Sequence, residues 1–367
     1  MIYKSIIVLM LTFNICHSAP SINKIDYINV NSELTDDLEN WMSLLSKELR
    51  TIPLNLLAIP GSHDSFTVDI TKDSDVSPDG EDILKKLDFL TIVRTIMANW
   101  SKTQGYNVLE QLKAGIRFFD LRLCRNYKDD KLYFCHSMYS TEVTAVLSDM
   151  VSFLESHPKE VVILDCQHFY NFTTATHDEV IQLLKVTFND KLVPFQSTMS
   201  SITLENLAEQ KKQVLVIYRD QKQANQDLLW PSTSFPTPWY DTMNTSNLIT
   251  DLNSGLQSRS YSSGYISQLV LTPSVDDYLQ NLLTTLKKKC AVDFAALRTE
   301  WIRNQTAGQN GVNIIIADFI DINDNEFSKA VISLNTGIDT AKVHNYGLIY
   351  ETKRLLSSLK YVLKLIK

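Results

Sequence analysis

Leu56-Leu57-Ala58-Ile59-Pro60-Gly61-Ser62-His63-Asp64-Ser65 is an apolar run cut by Pro-Gly that ends on a histidine and an aspartate. It reads as a buried strand that delivers charged groups into the loop beyond its end, the place where barrel enzymes keep their catalysts. Two further stretches repeat the pattern. Gly115-Ile116-Arg117-Phe118-Phe119-Asp120-Leu121-Arg122-Leu123 alternates, so Asp120 and Arg122 share one side of a strand. Leu132-Tyr133-Phe134-Cys135-His136 ends a short strand on a second histidine. Two histidines, two aspartates and an arginine are the set that a metal-free phosphodiester cleavage requires.

A chain of 367 residues holds one barrel domain of about 250 residues with insertions. The formal charge of -7 and the lack of a basic stripe interleaved with aromatics exclude nucleic acid as a partner. Residues 1–18 read as a signal peptide, with Lys4, an apolar core over 6–15 and a cut between Ser18 and Ala19. No other stretch reaches the roughly 18 apolar residues of a membrane span. A secreted, extracellular protein is therefore expected, and acceptor triplets begin at Asn99, Asn171, Asn244 and Asn304. Cys124 and Cys135 flank a turn-like Asn126-Tyr127-Lys128-Asp129-Asp130, so a hairpin disulfide between them is expected, while Cys166 and Cys290 could pair or remain thiols.

The domain is expected to run over 19–340. Asn107 caps a helix that Gly115 ends, helical periodicity covers 141–156, and the apolar run 161–164 suits a strand buried on both faces. Helix and strand then alternate: helix over 178–186, strands over 214–218 and 269–271, a helix over 275–301, a strand over 314–317 and a helix over 325–334. This alternation argues for a parallel α/β sheet. The acidic run from Asp69 to Asp82 lacks the ligand spacing of a calcium loop. Residues 230–240 form a proline-braced aromatic loop that either faces lipid or packs on the domain. Residues 341–367 read as a basic amphipathic helix docked on it.

In its ordered motifs from about Leu54 to Asn335 the sequence resembles the X-domain of phosphatidylinositol-specific phospholipase C and the PI-PLC X domain-containing proteins. Besides the stretches already quoted, His157-Pro158-Lys159-Glu160-Val161-Val162-Ile163-Leu164-Asp165, Val216-Ile217-Tyr218-Arg219, Gln268-Leu269-Val270-Leu271-Thr272-Pro273 and Asn313-Ile314-Ile315-Ile316-Ala317-Asp318-Phe319 carry the resemblance. It implies a distorted TIM-type barrel and cleavage of phosphatidylinositol, or of a glycosyl-phosphatidylinositol anchor, to diacylglycerol and inositol 1,2-cyclic phosphate. By the same resemblance His63 is the general base, His136 the general acid, and Arg122 holds the phosphoryl oxygens. Asp318 orients His63, Asp64 supports Arg122, and Asp120, Arg219 and Gln167 contact the substrate.

Arg122 stands where calcium-dependent relatives place a carboxylate, so no metal or other cofactor is expected. Gln167 stands where bacterial members are expected to carry Lys, and Ser137 where they carry Gly, which leaves substrate range open. His168 should face away from the site. The expected partner is the lipid or anchor at a transient membrane contact, with the chain a monomer. The competing readings are a catalytically silent lipid-binding or interaction protein on the same barrel, and a metal-dependent phosphodiesterase that needs a Glu/Asp pair where Arg122 stands.

Overall fold

The structure is a computed structural model that describes residues 34–80, 85–86, 88–220, 222, 227–340 and 343. The expected signal peptide, and all of the expected C-terminal helix except Val343, lie outside the described residues. Eight strands form one sheet: β1 (Ile59–Ser62), β2 (Phe118–Asn126), β3 (Lys131–His136), β4 (Met138–Glu142), β5 (Val162–Tyr170), β6 (Val214–Tyr218), β7 (Ile266–Gln268) and β8 (Ile314–Ala317). Six of them run parallel in the order β7-β8-β1-β2-β5-β6, and the antiparallel hairpin β3-β4 grows from the far end of β2.

Helices join the parallel strands, and their apolar stripes pack on the outer face of the sheet. The helix Val143–Ser156 shows why: Val143, Val146, Leu147, Met150, Phe153 and Leu154 recur at three- and four-residue spacing, and all are buried. Asn107 and Thr173 close capping boxes at the starts of Val108–Lys113 and Thr174–Phe188. Alternation along the strands divides the core in two. Phe119, Leu121, Leu164, Cys166, Val216 and Ile315 face the helices. Ile59, Phe118, Ile163, Leu215, Ile217, Ile266, Ile314 and Ile316 fill the barrel interior. Gly61 is required there, because a Cβ would stand 2.8 Å from the Phe118 ring and 2.9 Å from Ile316.

No ladder pairs β6 with β7 among the described residues, and an irregular segment fills the gap. Tyr218 N–H donates to Trp230 O at 2.9 Å and Trp230 N–H to Val216 O at 2.8 Å, while Gly264 and Ile266 N–H donate to Ser234 O and Pro236 O at 2.9 and 3.0 Å. Trp230 and Phe235 are buried in the interior cluster. The aromatic loop is therefore divided: its first half completes the barrel wall, and Trp239 alone of its two tryptophans stands exposed.

Two sequence expectations are corrected. The seventh strand lies at Ile266–Gln268 rather than 269–271, because Ile266 and Gln268 pair with Ile314 and Ile316. Leu269, Val270 and Leu271 are buried as the chain leaves the sheet, which gives an apolar run that is not a strand. The helix expected over 275–301 is broken into Val275–Gln280, a π-helical turn Lys287–Val292, and Ala295–Arg303.

At the base of the barrel Arg117 and Glu160 form an ion pair with no solvent access, Nη2 to Oε2 at 2.8 Å. Arg117 also donates to the carbonyls of Glu39, Leu112 and Ile116, and Ser43 N–H donates to Glu160 Oε1 at 2.8 Å. The pair fastens the chain before β1 to the barrel floor. Glu160→Ala leaves a buried guanidinium without its counter-charge, and the expected loss is about 3–5 kcal/mol in urea unfolding; a loss below about 1 kcal/mol would contradict this account of the clamp.

Candidate active site

Inward-facing positions turn from apolar to charged at the C-terminal ends of the parallel strands. Along β1 the series is Ile59, Gly61, His63; along β2 Phe118, Asp120, Arg122; along β5 Ile163, Asp165; along β6 Leu215, Ile217, Arg219; along β8 Ile314, Ile316, Asp318. The period of two that fills the interior below thus carries the charged groups onto one mouth above. His63, Asp64, Asp120, Arg122, His136 and Asp318 come together there.

Asp64 lies at the centre with its side chain fully buried. Its Oδ1 pairs closely with Arg122 Nε, and its Oδ2 lies 3.6 Å from His63 Nε2 and 3.5 Å from His136 Nε2. The backbone turns sharply here, with Asp64 at φ 40°; its N–H donates to Asp120 Oδ2 at 3.3 Å, and Thr103 Oγ1 donates to its carbonyl at 2.9 Å. Gln104 ties the neighbouring strand ends together, donating to the carbonyls of His63 and Ala317 at 2.8 and 3.0 Å.

The orientation of each imidazole follows from its partners. His63 Nδ1 meets Asp318 Oδ1 at 2.8 Å, so Nδ1 carries a proton and Nε2 faces Asp64, Asp120 and Arg122. His136 Nδ1 lies 2.8 Å from the carbonyl of Ser101, which can only accept, so Nε2 again faces the mouth. Arg298 donates to the Asp318 carbonyl at 2.7 Å from behind.

Burial opposes a charge on His63, but Asp64, Asp318 and Asp120 together outweigh it and raise its pKa to about 9. Burial likewise works against an ionised Asp64, yet Arg122 and the two histidines hold its carboxyl below the usual range. Asp120 is pushed up by burial and by Asp64. Arg122, although buried, is held more firmly protonated by Asp64 and Asp120. The mouth is a dense alternation of fixed charges.

Arg219 reaches the site from the opposite wall as one half of a bidentate pair. Its Nε and Nη2 donate to the two oxygens of Asp165 at 2.8 and 2.7 Å, Nη2 also donates to Phe235 O at 3.0 Å, and Gln167 Nε2 donates to Asp165 Oδ2 at 3.3 Å. Burial raises Asp165 to about 6 against the pull of Arg219. Asp165 was not among the expected site residues, and the one signal for it in the sequence is its place at the end of the apolar 161–164 run; the structure sets it in register with Asp120. His168 is a correction. The register slips between Leu121 and Arg122, so Arg122 pairs with His168 rather than Gln167, and a bulge turns His168 to the Arg122 side. Burial and Arg122 lower its pKa. A bulge leaves no mark in an alternation pattern.

His63, Asp64 and Asp120 offer ligand atoms within 4.8 Å of one another. A divalent ion there would have to displace Arg122 from Asp64 and sit beside a cationic His63. The cysteines expected to pair do so: Cys124 and Cys135 form a disulfide with Cα atoms 6.2 Å apart, and Cys166 and Cys290 are separate buried thiols. Of the acceptor asparagines, Asn171, Asn244 and Asn304 are exposed and Asn99 is half-buried in a helix.

This barrel, with its charged mouth on the open-sided parallel sheet, has the fold of the phospholipase C-like phosphodiesterases. The phosphatidylinositol-specific phospholipase C from Listeria monocytogenes superposes with a TM-score of 0.56 at 18% identity, covering 82% of this chain and 98% of that one. A variant of the Staphylococcus aureus phosphatidylinositol-specific phospholipase C gives 0.59 at 17%, covering 82% and 97%. The family described as "Phosphatidylinositol-specific phospholipase C, X domain" matches residues 93–220. PI-PLC X domain-containing protein 3 of Danio rerio is 37% identical over 82% of this chain and 94% of its own length, and that of Homo sapiens 35% over 84% and 96%. The chain belongs to the PI-PLC X domain-containing proteins.

The His63 shift fixes a stability dependence. A pKa raised from 6.5 to about 9 stabilises the fold fully below about pH 6.5 and is lost as pH rises through 9. Asp318→Asn removes part of it, so the gap to wild type in urea unfolding is expected to narrow by about 1–2 kcal/mol from pH 6 to 9; a gap that is constant or widens would contradict the ion pair.

Proposed function

We propose that this chain cleaves the phosphodiester of phosphatidylinositol, or of a glycosyl-phosphatidylinositol anchor, without metal, giving diacylglycerol and inositol 1,2-cyclic phosphate. The observation that carries the reading is the convergence of His63 Nε2 and His136 Nε2 on one Asp64 oxygen, with the Arg122 guanidinium on the other. Two proton carriers and a fixed cation thus lie within the span of one phosphate.

In this mechanism His63 Nε2 takes the proton of the inositol hydroxyl beside the phosphate, and that oxygen bonds to phosphorus. Arg122 stabilises the charge that accumulates on the phosphoryl oxygens. The bond from phosphorus to the diacylglycerol oxygen breaks, and His136 Nε2 supplies the proton that this oxygen needs. Asp318 orients His63 and stabilises its imidazolium, Asp64 couples Arg122 to both histidines, and Asp120 steadies His63. Arg219, tied to Asp165, which also accepts from Gln167, contacts the inositol hydroxyls. Because His63 holds its proton to about pH 9, its base form is the minor one near neutral pH and grows as pH rises.

We also infer a secreted setting, which the disulfide supports, and contact with a membrane surface. We propose that exposed apolar side chains on the connections that follow the strands form a rim to the mouth: Phe89 (75% exposed), Leu90 and Ile92 after β1, Trp239 (61%) after β6, and Leu282 and Leu283 after β7. Each lies on a loop or helix start beyond a strand's C-terminal end. Phe89→Ser with Ile92→Ser is expected to weaken sedimentation with phosphatidylinositol vesicles by about tenfold or more, with cleavage of a soluble inositol phosphodiester retained; unchanged sedimentation would remove the rim from the account.

The function itself is tested with phosphatidylinositol vesicles in EDTA, following inositol 1,2-cyclic phosphate by phosphorus-31 resonance. Wild type is expected to form the product and His63→Ala to lose about 100-fold or more. No product from folded wild type, with an anchored test protein also left intact, would overturn the reading in favour of a silent binding protein.

A further inference from the structure

Asp79 lies in the acidic run of residues 69–82, outside the mechanism above. Residues 75–77 pair with the start of β4, and Asp69 is held further along it. Thr141 Oγ1 donates to Asp69 Oδ2 at 2.6 Å, Tyr139 N–H to the Asp75 carbonyl at 2.9 Å, and Val76 bridges Met138. The grip is tightest at Ser137, the residue that follows His136. Ser77 N–H donates to the Ser137 carbonyl at 3.0 Å, and Ser137 N–H donates to Asp79 Oδ2 at 2.6 Å. Ser77 Oγ donates closely to the other Asp79 oxygen.

Ser137 has φ 58°, the left-handed region that glycine enters freely and other residues avoid. Something must hold a serine there, and the Asp79 carboxylate is bonded to its N–H. On the other side of His136, Cys135 is bonded to Cys124, with both sulfurs within 4.8 Å of the Asp79 carboxylate. The His136 backbone is thus fixed from both directions, and its ring by Ser101.

We propose that Asp79 is a positioning residue for His136: by holding Ser137 in the left-handed conformation it aims His136 Nε2 at the leaving oxygen. This rests on the function proposed above, in which the bond from phosphorus to the leaving oxygen breaks as His136 protonates that oxygen. A misaimed acid is costly when the leaving group is an alkoxide, which needs the proton. It matters little when the leaving group is p-nitrophenolate, which departs as the anion. A loss acting through Arg122, which also feels the Asp79 carboxylate, would fall on both.

The test compares full-length wild type, Asp79→Ala and Asp79→Ala/Ser137→Gly on two soluble myo-inositol 1-phosphodiesters, one n-octyl and one p-nitrophenyl. Asp79→Ala is expected to lower kcat for the octyl ester about 10- to 100-fold and for the nitrophenyl ester by less than about threefold. Adding Ser137→Gly, which needs no clamp at this φ, should bring the octyl rate back to within about threefold of wild type. Equal losses on both esters, no loss, or no recovery would overturn the inference. Should Asp79→Ala fail to fold, the double variant decides: an octyl rate more than about tenfold below wild type contradicts the proposal. Wild type inactive on both esters removes the proposed function and this inference together, whereas active wild type with equal losses removes only the inference.

Discussion

The buried carboxylate of Asp64 is the constraint on which the site depends. An ionised group with no solvent access is costly unless it is fully compensated, and here Arg122 and two imidazoles surround it. The compensation is mutual. Removing Arg122 would leave Asp64 and Asp120 as two buried carboxylates side by side, and removing Asp64 would leave Arg122 and His63 facing each other as cations. The same cluster therefore organises its own geometry and sets the proton affinity of His63. Asp318 and Ser101 complete it by fixing which nitrogen of each ring looks outward.

The barrel supplies the scaffold at little extra cost in sequence. Its interior is a tight column of isoleucine, leucine and phenylalanine, with Gly61 giving way where Phe118 and Ile316 need the space. The same alternation that buries those side chains turns charged ones inward one step beyond the last apolar layer. The sheet does not close by strand pairing; residues 230–236 bridge β6 and β7 through backbone hydrogen bonds. The hairpin β3-β4 then brings His136 across the mouth toward His63, stapled at Cys124–Cys135 next to both Arg122 and His136.

Much of this was legible from the chain alone. Apolar runs ending in His63, in Asp120 and Arg122, and in Asp318 are strand ends because alternation and burial are local properties of the sequence. The hairpin disulfide followed from two cysteines around a turn. What escaped was whatever depends on register or on irregular backbone. The bulge that brings His168 to Arg122 is invisible to a period of two, and Leu269-Val270-Leu271 is apolar because it is buried outside the sheet. Asp79 stood only as one acid in the run from Asp69 to Asp82, since its partner is a backbone N–H whose left-handed φ no residue type announces. The split of 230–240 into a buried wall and an exposed Trp239 likewise depends on a gap between strands that only the assembled barrel has.

Three aspartates hold His63 as a cation whose Nε2 faces the mouth. The most direct measurement is a pH titration of the His63 ring resonances by NMR, assigned with His63→Gln, in the ligand-free protein. The account predicts a midpoint near 9, with Nδ1 protonated on both sides of the transition. A midpoint at or below the ordinary imidazole value of about 6.5, or a neutral ring protonated at Nε2, would contradict it.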